Sequence, residues 1–174
     1  MHTLPGRTEN LLATCSLALT ERVAGAAEQA TGLGAGAPAA LVAVSGFLGG
    51  QSVTALANVL GLSHAGTVRL VDRLQAQGLI ERRRGDADAR EVRLVATRAG
   101  RAAAQRVLDG RRDAMAAVLA ALSEEEVATL VPLLERMLAA ITAGPDSPGH
   151  ICRLCDADAC GHPEICPVTL AAHG

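Results

Sequence analysis

A chain of 174 residues, 49% of them hydrophobic, suits one folded domain with appendages. One Phe, with no Trp or Tyr, forces packing onto Ala, Leu and Val and excludes the aromatic base stacking on which many single-strand nucleic-acid binders rely. The net charge of −2 is unevenly spread: twelve of the sixteen basic residues, all arginine, fall between Arg69 and Arg112 against six acids, which concentrates positive charge in one stretch.

Lysine is absent, so phosphate or base contacts must come from arginine forks or from polar and backbone groups. No segment has the roughly 18 uncharged apolar residues of a membrane span, and no basic-then-apolar secretory pattern opens the chain. The expected location is cytoplasmic, associated with the nucleoid and not with a membrane. Thiols stay reduced there, so clustered cysteines point to metal ligation or redox sensing before structural disulfides.

Met1 to Arg7, with Pro5-Gly6, reads as a loose lead-in. From Thr8 to about Thr31 the residues Leu11, Leu12, Cys15, Leu19, Val23 and Ala27 recur at helical spacing, which predicts a long amphipathic helix with Cys15 buried as a small hydrophobe. The glycine-rich run from Thr31 to Pro38 breaks it, and Ala39 to Leu48 predicts a second helix ended by Gly49-Gly50.

Val53, Leu56, Ala57 and Leu60 follow the i, i+3, i+4, i+7 pattern of a one-sided helix, which Gly61 stops. Ser63 is a good N-cap for a further helix in which Val68, Val71 and Leu74, flanked by Leu70, recur until Gly78. Two short helices joined by Gly61-Leu62-Ser63 form a helix-turn-helix signature. With Val68, Val71 and Leu74 inward, His64, Thr67, Arg69 and Arg73 are expected on the outer face, where base edges and phosphates would lie, and Ser63 and Gly66 lie at its start.

Leu79 to Arg83 and Glu91 to Val95 contain strand formers separated by the turn-like stretch Arg84 to Arg90, which predicts a β-hairpin. Arg84 and Arg90 would sit at its tip, with Arg82 and Arg83 at its base. Arginine at such a tip suits a narrow minor groove of negative potential.

Taken in order, Leu56-Ala57, Leu60 to Ser63, Val68 to Leu74, Gly78 to Arg82, Asp88-Ala89-Arg90 and Leu94 to Gly100 resemble the MarR family of winged-helix transcription regulators. The resemblance covers about Ala37 to Ile141. It implies a homodimer, Ser63 to Gln77 as the recognition helix and Arg90 as the wing arginine. Where the family often has Asp-Arg-Arg, this chain has Asp88-Ala89-Arg90, so one basic contact is missing and the wing's role is lowered or shared with Arg84.

After the hairpin, Thr97 caps a helix expected to run to about Leu122, with a bend or weak point at Gly110. Ser123 to Glu126 is a capping box, followed by Val127, Leu130, Leu133, Leu134, Met137, Leu138 and Ile141 on one face, with Pro132 expected to kink the helix near Ala128. The resemblance implies that these two helices join the first in a dimer interface. Gly144 to Gly149 is a linker by composition.

Cys152, Cys155, Cys160 and Cys166 then give C-x2-C-x4-C-x5-C. A Cys-x-x-Cys pair lets two thiolates reach one metal, and two further thiolates complete a tetrahedral shell that zinc or an iron–sulfur cluster accepts. The spacing resembles a zinc knuckle, while Cys166-Pro167 resembles the cluster-ligand-then-proline of bacterial ferredoxins, so the cofactor is left as zinc or an iron–sulfur cluster. His150 and His162 are expected to lie around the four thiolates and not among the ligands.

The fold class expected is mainly α with a small β-hairpin wing (α+β): a winged helix-turn-helix with long N- and C-terminal dimerisation helices. Residues 1–36 form the first dimerisation helix, 37–96 the DNA-binding domain, 97–143 the remaining dimerisation helices and 144–174 the linker and cysteine tail. There is no glycine-rich phosphate loop, nucleophile elbow or His-Glu-x-x-His pair, so no enzyme is expected.

The leading functional reading is a homodimeric transcription regulator, expected to be a repressor, on a palindromic double-stranded DNA operator, responding to metal or redox state through the tail. A metal or redox carrier that keeps the scaffold for protein contacts is an alternative. A third reading, implied by the resemblance, is a sensor of a small aromatic effector with a purely structural zinc tail; its pocket would be aliphatic, lined by Leu12, Val44, Phe47 and Leu48.

Overall fold

The structure, a computed structural model, describes residues 4–84, 92–142 and 147–173. Among these, α1 (Leu4–Thr31), α2 (Ala37–Ser45), α3 (Val53–Leu60) and α4 (His64–Ala76) precede a hairpin of β1 (Ile80–Arg84) and β2 (Val92–Ala96). Then come α5 (Arg98–Leu119), α6 (Glu124–Ile141) and three short helices, α7 (Ser147–Ile151), α8 (Ala157–Cys160) and α9 (Pro167–His173). The expected class, helical with a two-stranded wing, is the one observed.

Local chemistry sets most boundaries. Ser52, Ser63, Thr97 and Ser123 cap α3, α4, α5 and α6, each accepting a hydrogen bond from the backbone N–H three residues on. Gly61 ends α3 in the left-handed region at φ 65°, which a side chain would resist. At Ser123 the box is complete, since Glu126 reaches back to the Ser123 N–H at 2.8 Å. Helix α1 starts four residues earlier than expected because proline is tolerated in a first turn.

The core lies where α2, α3, α4 and α5 meet the hairpin, and Leu41, Leu56, Val71, Leu74, Ile80, Leu94 and Val107 are sealed in it. Helix α2 is buried from Ala37 to Val44, as suits a helix apolar on every side. The strands pair antiparallel, with Ile80 opposite Ala96 and Arg83 opposite Arg93. The Gly50 N–H donates to the Leu94 carbonyl and the Leu94 N–H to the Gln51 carbonyl, both at 2.9 Å, so the chain before α3 lies along the wing. Sequence patterning did not show this pairing, because Gly50-Gln51 is too short to carry a period.

Helix α5 packs along α1, and at Gly110 a Cβ would lie 3.4 Å from the Ala26 carbonyl oxygen. Gly110 therefore marks a close approach of two helices inside one unbroken helix. The first half of α1 is left outside the core: Leu11, Leu12 and Leu17 are exposed, and so is Cys15, contrary to its expected burial. Burial of α1 begins only toward Ala27, where it meets α2 and α5. No residue of α6 is buried in the protomer. Among the described residues, no helix is long and apolar enough to cross a membrane.

Candidate nucleic-acid interface and the cysteine module

Helix α4 is positioned by its inner stripe, which consists of Thr67, Leu70, Val71 and Leu74. This corrects two expectations. Thr67, expected on the outer face, has no exposed surface, and Val68, expected inside, is half-buried. The physical reason lies in the Thr67 hydroxyl, which donates to the Ser63 carbonyl one turn back at 3.1 Å and so enters the core already satisfied. Thr67 therefore presents nothing to a base.

Ser63 caps the helix by accepting from the Gly66 N–H at 3.1 Å, so both residues shape the entry of α4. His64, Arg69 and Arg73 are exposed, and Arg69 and Arg73, one turn apart, share a face. No ion pair among the described residues engages Arg69, Arg73 or Arg84.

The wing joins this helix through Arg82. Its guanidinium lies 2.7 Å from the Asp72 carboxylate and donates to Gln75 Oε1 at 2.7 Å, so Arg82 ties β1 to α4. Arg83 pairs with Glu81 and lies opposite Arg93 across the hairpin. Arg84 is exposed at the end of β1. Arg90 and the tip around it lie outside the described residues.

Other members of the arginine run also have structural roles. Arg101 donates to the Ala96 carbonyl at 2.6 Å, Arg106 to the Ala30 carbonyl at 3.3 Å, and Arg112 bridges Asp109 and Asp156. The charge concentrated in sequence is thus divided between fold and surface, and the surface share includes Arg69 and Arg73 on α4, Arg83 and Arg84 on the wing and Arg98 at the start of α5.

The four tail cysteines converge. Cys152, Cys155, Cys160 and Cys166 line one cavity of about 130 Å³ together with Phe47 and His162. Cys160 Sγ and Cys166 Sγ are 3.9 Å apart. A hydrogen bond from Cys155 lowers the Cys152 thiol, and the same bond raises that of Cys155. Burial, with the charges of Cys155 and Cys166, pushes Cys160 up to about 12. At Cys166 burial also acts upward, but hydrogen bonds from the Thr169 side chain and backbone prevail and hold it at about 7. Among the described residues, no three His, Cys, Asp or Glu side chains already stand as a metal shell, so the sulfurs are neighbours and not yet arranged ligands.

This module folds back onto the reading unit. The His150 Nδ1–H donates to the Val59 carbonyl in the last turn of α3 at 2.9 Å, and its ring covers Gly61, where a Cβ would lie 3.3 Å from Cε1. Leu154 packs on the main core. Asp156 caps α8 through one carboxylate oxygen and meets Arg112 of α5 with the other. His162 contacts the Thr169 hydroxyl and also lines the thiol cavity beside Cys166, whereas His150 has its partner on α3. Arg153 and Leu154 fill the cleft between α1 and the α2–α3 lobe, lining the cavities on either side.

The residues expected to hold an aromatic effector are dispersed. Val44 is sealed in the core, Leu48 is half-buried against it, and Leu12 is exposed on α1. Phe47 faces the thiol cavity, which none of the other three lines.

A helix-turn-helix with an exposed arginine face, followed by a two-stranded wing clamped to it, is the arrangement of a winged helix. Residues 31–91 match the sequence model of the MarR family. The solved structures agree in fold. A MarR family protein from Bacillus stearothermophilus is 25% identical with a TM-score of 0.70, covering 79% of this chain and 95% of its own. RV1404 from Mycobacterium tuberculosis is 25% identical with a TM-score of 0.68, covering 82% and 97%. MepR, a transcription regulator of the Staphylococcus aureus multidrug efflux pump MepA, is 18% identical with a TM-score of 0.65, covering 76% and 97%. No curated protein matches by sequence. These solved chains are nearly fully spanned, while about a fifth of this chain is left over.

Proposed function

We propose that the protein is a transcription regulator that binds duplex DNA as a homodimer and represses by occupying a palindromic operator. The observation that carries the reading is the pairing of Arg69 and Arg73 on the exposed face of α4 with a wing that Arg82 holds against the same helix. Helix α4 in the major groove would place both arginines at guanine edges or phosphates, and Arg83 and Arg84 beside the adjacent backbone.

The dimer is supported by apolar surface that the protomer leaves open. Leu11, Leu12 and Leu17 on α1 and Val131, Leu133 and Leu134 on α6 are between 45% and 70% exposed, and a second copy of the same helices would cover them. A twofold assembly presents two reading helices to half-sites about 34 Å apart, one turn of DNA.

Selection of duplexes from a random library by the full chain tests the reading. An inverted repeat should emerge, and its affinity should fall steeply with salt as counterions are released. Arg69→Ala or Arg73→Ala should each cost about 1–3 kcal/mol of binding at a base contact, or lower the salt slope by about one at a phosphate contact. Recovery of no preferred sequence together with affinity indifferent to both arginines would refute it, and would favour a carrier role for the cysteine tail.

A further inference from the structure

We propose that Cys152, Cys155, Cys160 and Cys166 close around one thiophilic divalent cation of the zinc class, and that the resulting knot seats His150 on the Val59 carbonyl and stiffens the helix-turn-helix. The DNA consequence rests on the function proposed above, but the ion and the latch can be measured without DNA.

Four thiols lining a single small cavity from three separate stretches of tail are an uncommon use of cysteine unless a common ligand gathers them. The 3.9 Å between Cys160 Sγ and Cys166 Sγ is close to the edge of a tetrahedron with zinc–sulfur bonds of about 2.3 Å, which is about 3.8 Å. It is far from a disulfide bond of about 2.05 Å. Closing the remaining edges would draw on side-chain rotation and on shifts of the short helices α7, α8 and α9 that carry or flank the thiols. Binding releases the thiol protons to solvent and leaves a four-thiolate centre of net negative charge. Arg111 stands ready for that charge: it acts on Cys155 and lines the cavity on the other side of Cys152, Cys155 and Cys160. Four protein ligands leave no open position, so the ion would hold structure and perform no chemistry.

The latch follows from where the module sits. The Val59 carbonyl belongs to the end of α3, where helical carbonyls lack partners, and His150 supplies one. Gly149 is pressed so closely on α3 that a Cβ there would lie 2.9 Å from Val59 Cγ2. His150 is two residues from the first thiol, so ordering that thiol orders the latch. Helix α3 and its turn position α4, and the metal therefore acts on the reading helix through its neighbour.

The full-length protein, purified without chelator, tests this. Elemental analysis should find one zinc per chain, with an organomercurial releasing it as four thiols react and Cys15 reacting independently. Hydrogen exchange on zinc-loaded and chelator-stripped protein should show the amides of α3 and residues 61–63 exchanging about tenfold faster after stripping. His150→Ala should reproduce that acceleration while retaining zinc. Metal-free protein with all thiols titrating freely, or protein holding iron and sulfide, would overturn the single-ion site. Bound zinc whose removal leaves α3 exchange unchanged, or a His150→Ala variant exchanging like the parent, would overturn the latch.

Discussion

Arg82 of the wing and Asp72 of the reading helix meet at 2.7 Å, and this contact sets the angle between the two parts of the candidate DNA surface. Because Arg82 is spent internally, its loss should act through geometry and not through a lost phosphate. Arg82→Ala should weaken DNA binding with the salt slope unchanged, whereas Arg69→Ala and Arg73→Ala change the slope or the base preference. A double-mutant cycle on Asp72 and Arg82 should give a coupling of about 0.5–1 kcal/mol in urea unfolding, as expected for a partly exposed pair.

Thr67 is a test of which face reads DNA. Its hydroxyl is buried and already bonded to Ser63, so Thr67→Val should leave the selected DNA sequence unchanged and shift stability by only about 0.5–1.5 kcal/mol. A changed base preference in that variant would mean that the helix presents a different side to the groove.

Gly100 tolerates no side chain. A Cβ there would stand 1.9 Å from the Leu79 carbonyl oxygen, and that same carbonyl accepts from the Thr97 N–H at 3.0 Å and is held in place. Gly100→Ala should cost at least about 3 kcal/mol in denaturant unfolding, at the upper end of overpacking. Gly34→Ala, with nothing within 4 Å, should stay within about 0.5 kcal/mol.

The open face of α6 should report the dimer. Leu133→Glu combined with Leu134→Glu places two charges among side chains that the protomer leaves 45–47% exposed. Sedimentation should show monomers, while circular dichroism retains the helices, because neither residue belongs to the protomer core.

The cap of α6 carries a pH dependence of defined sign. The Ser123 backbone N–H, then its hydroxyl, hold the Glu126 carboxyl below its ordinary value of 4.5. The contribution is therefore present above pH 4.5 and is lost as pH falls through the lower folded value. Amide exchange in the first turn of α6 should accelerate below pH 4.5 relative to Ser123→Ala, a variant that should itself cost about 1 kcal/mol at neutral pH.

The reading unit was legible in the sequence because its boundaries are local. Gly61, Ser63, Thr97 and Ser123 each fix a helix end by bonds within three or four residues, and the chain advertises such patterns openly. Thr67 was misplaced because a polarity pattern scores a hydroxyl as outward, although an intrahelical bond lets it turn inward. The arginine run overstated the DNA surface for a related reason: counting charge shows no partners, and Arg82, Arg101, Arg106 and Arg112 each have one. The return of the tail to α3 left no trace in any periodicity, since the contact of His150 with Val59 joins distant parts of the chain. The four cysteines announced a shared site, but nothing in their spacing said what that site would lean on.

The tail touches α3 through α7 and α6 through α9, so it spans from the reading unit to a helix of the open apolar face. In a twofold assembly those two attachments would make it a diagonal brace that sets the pitch of each reading head relative to the symmetry axis. DNA repeats every 10–10.5 base pairs, so a small change in pitch moves a reading helix out of phase with its groove. Shortening the brace would leave each half-site recognised and spoil the spacing between them.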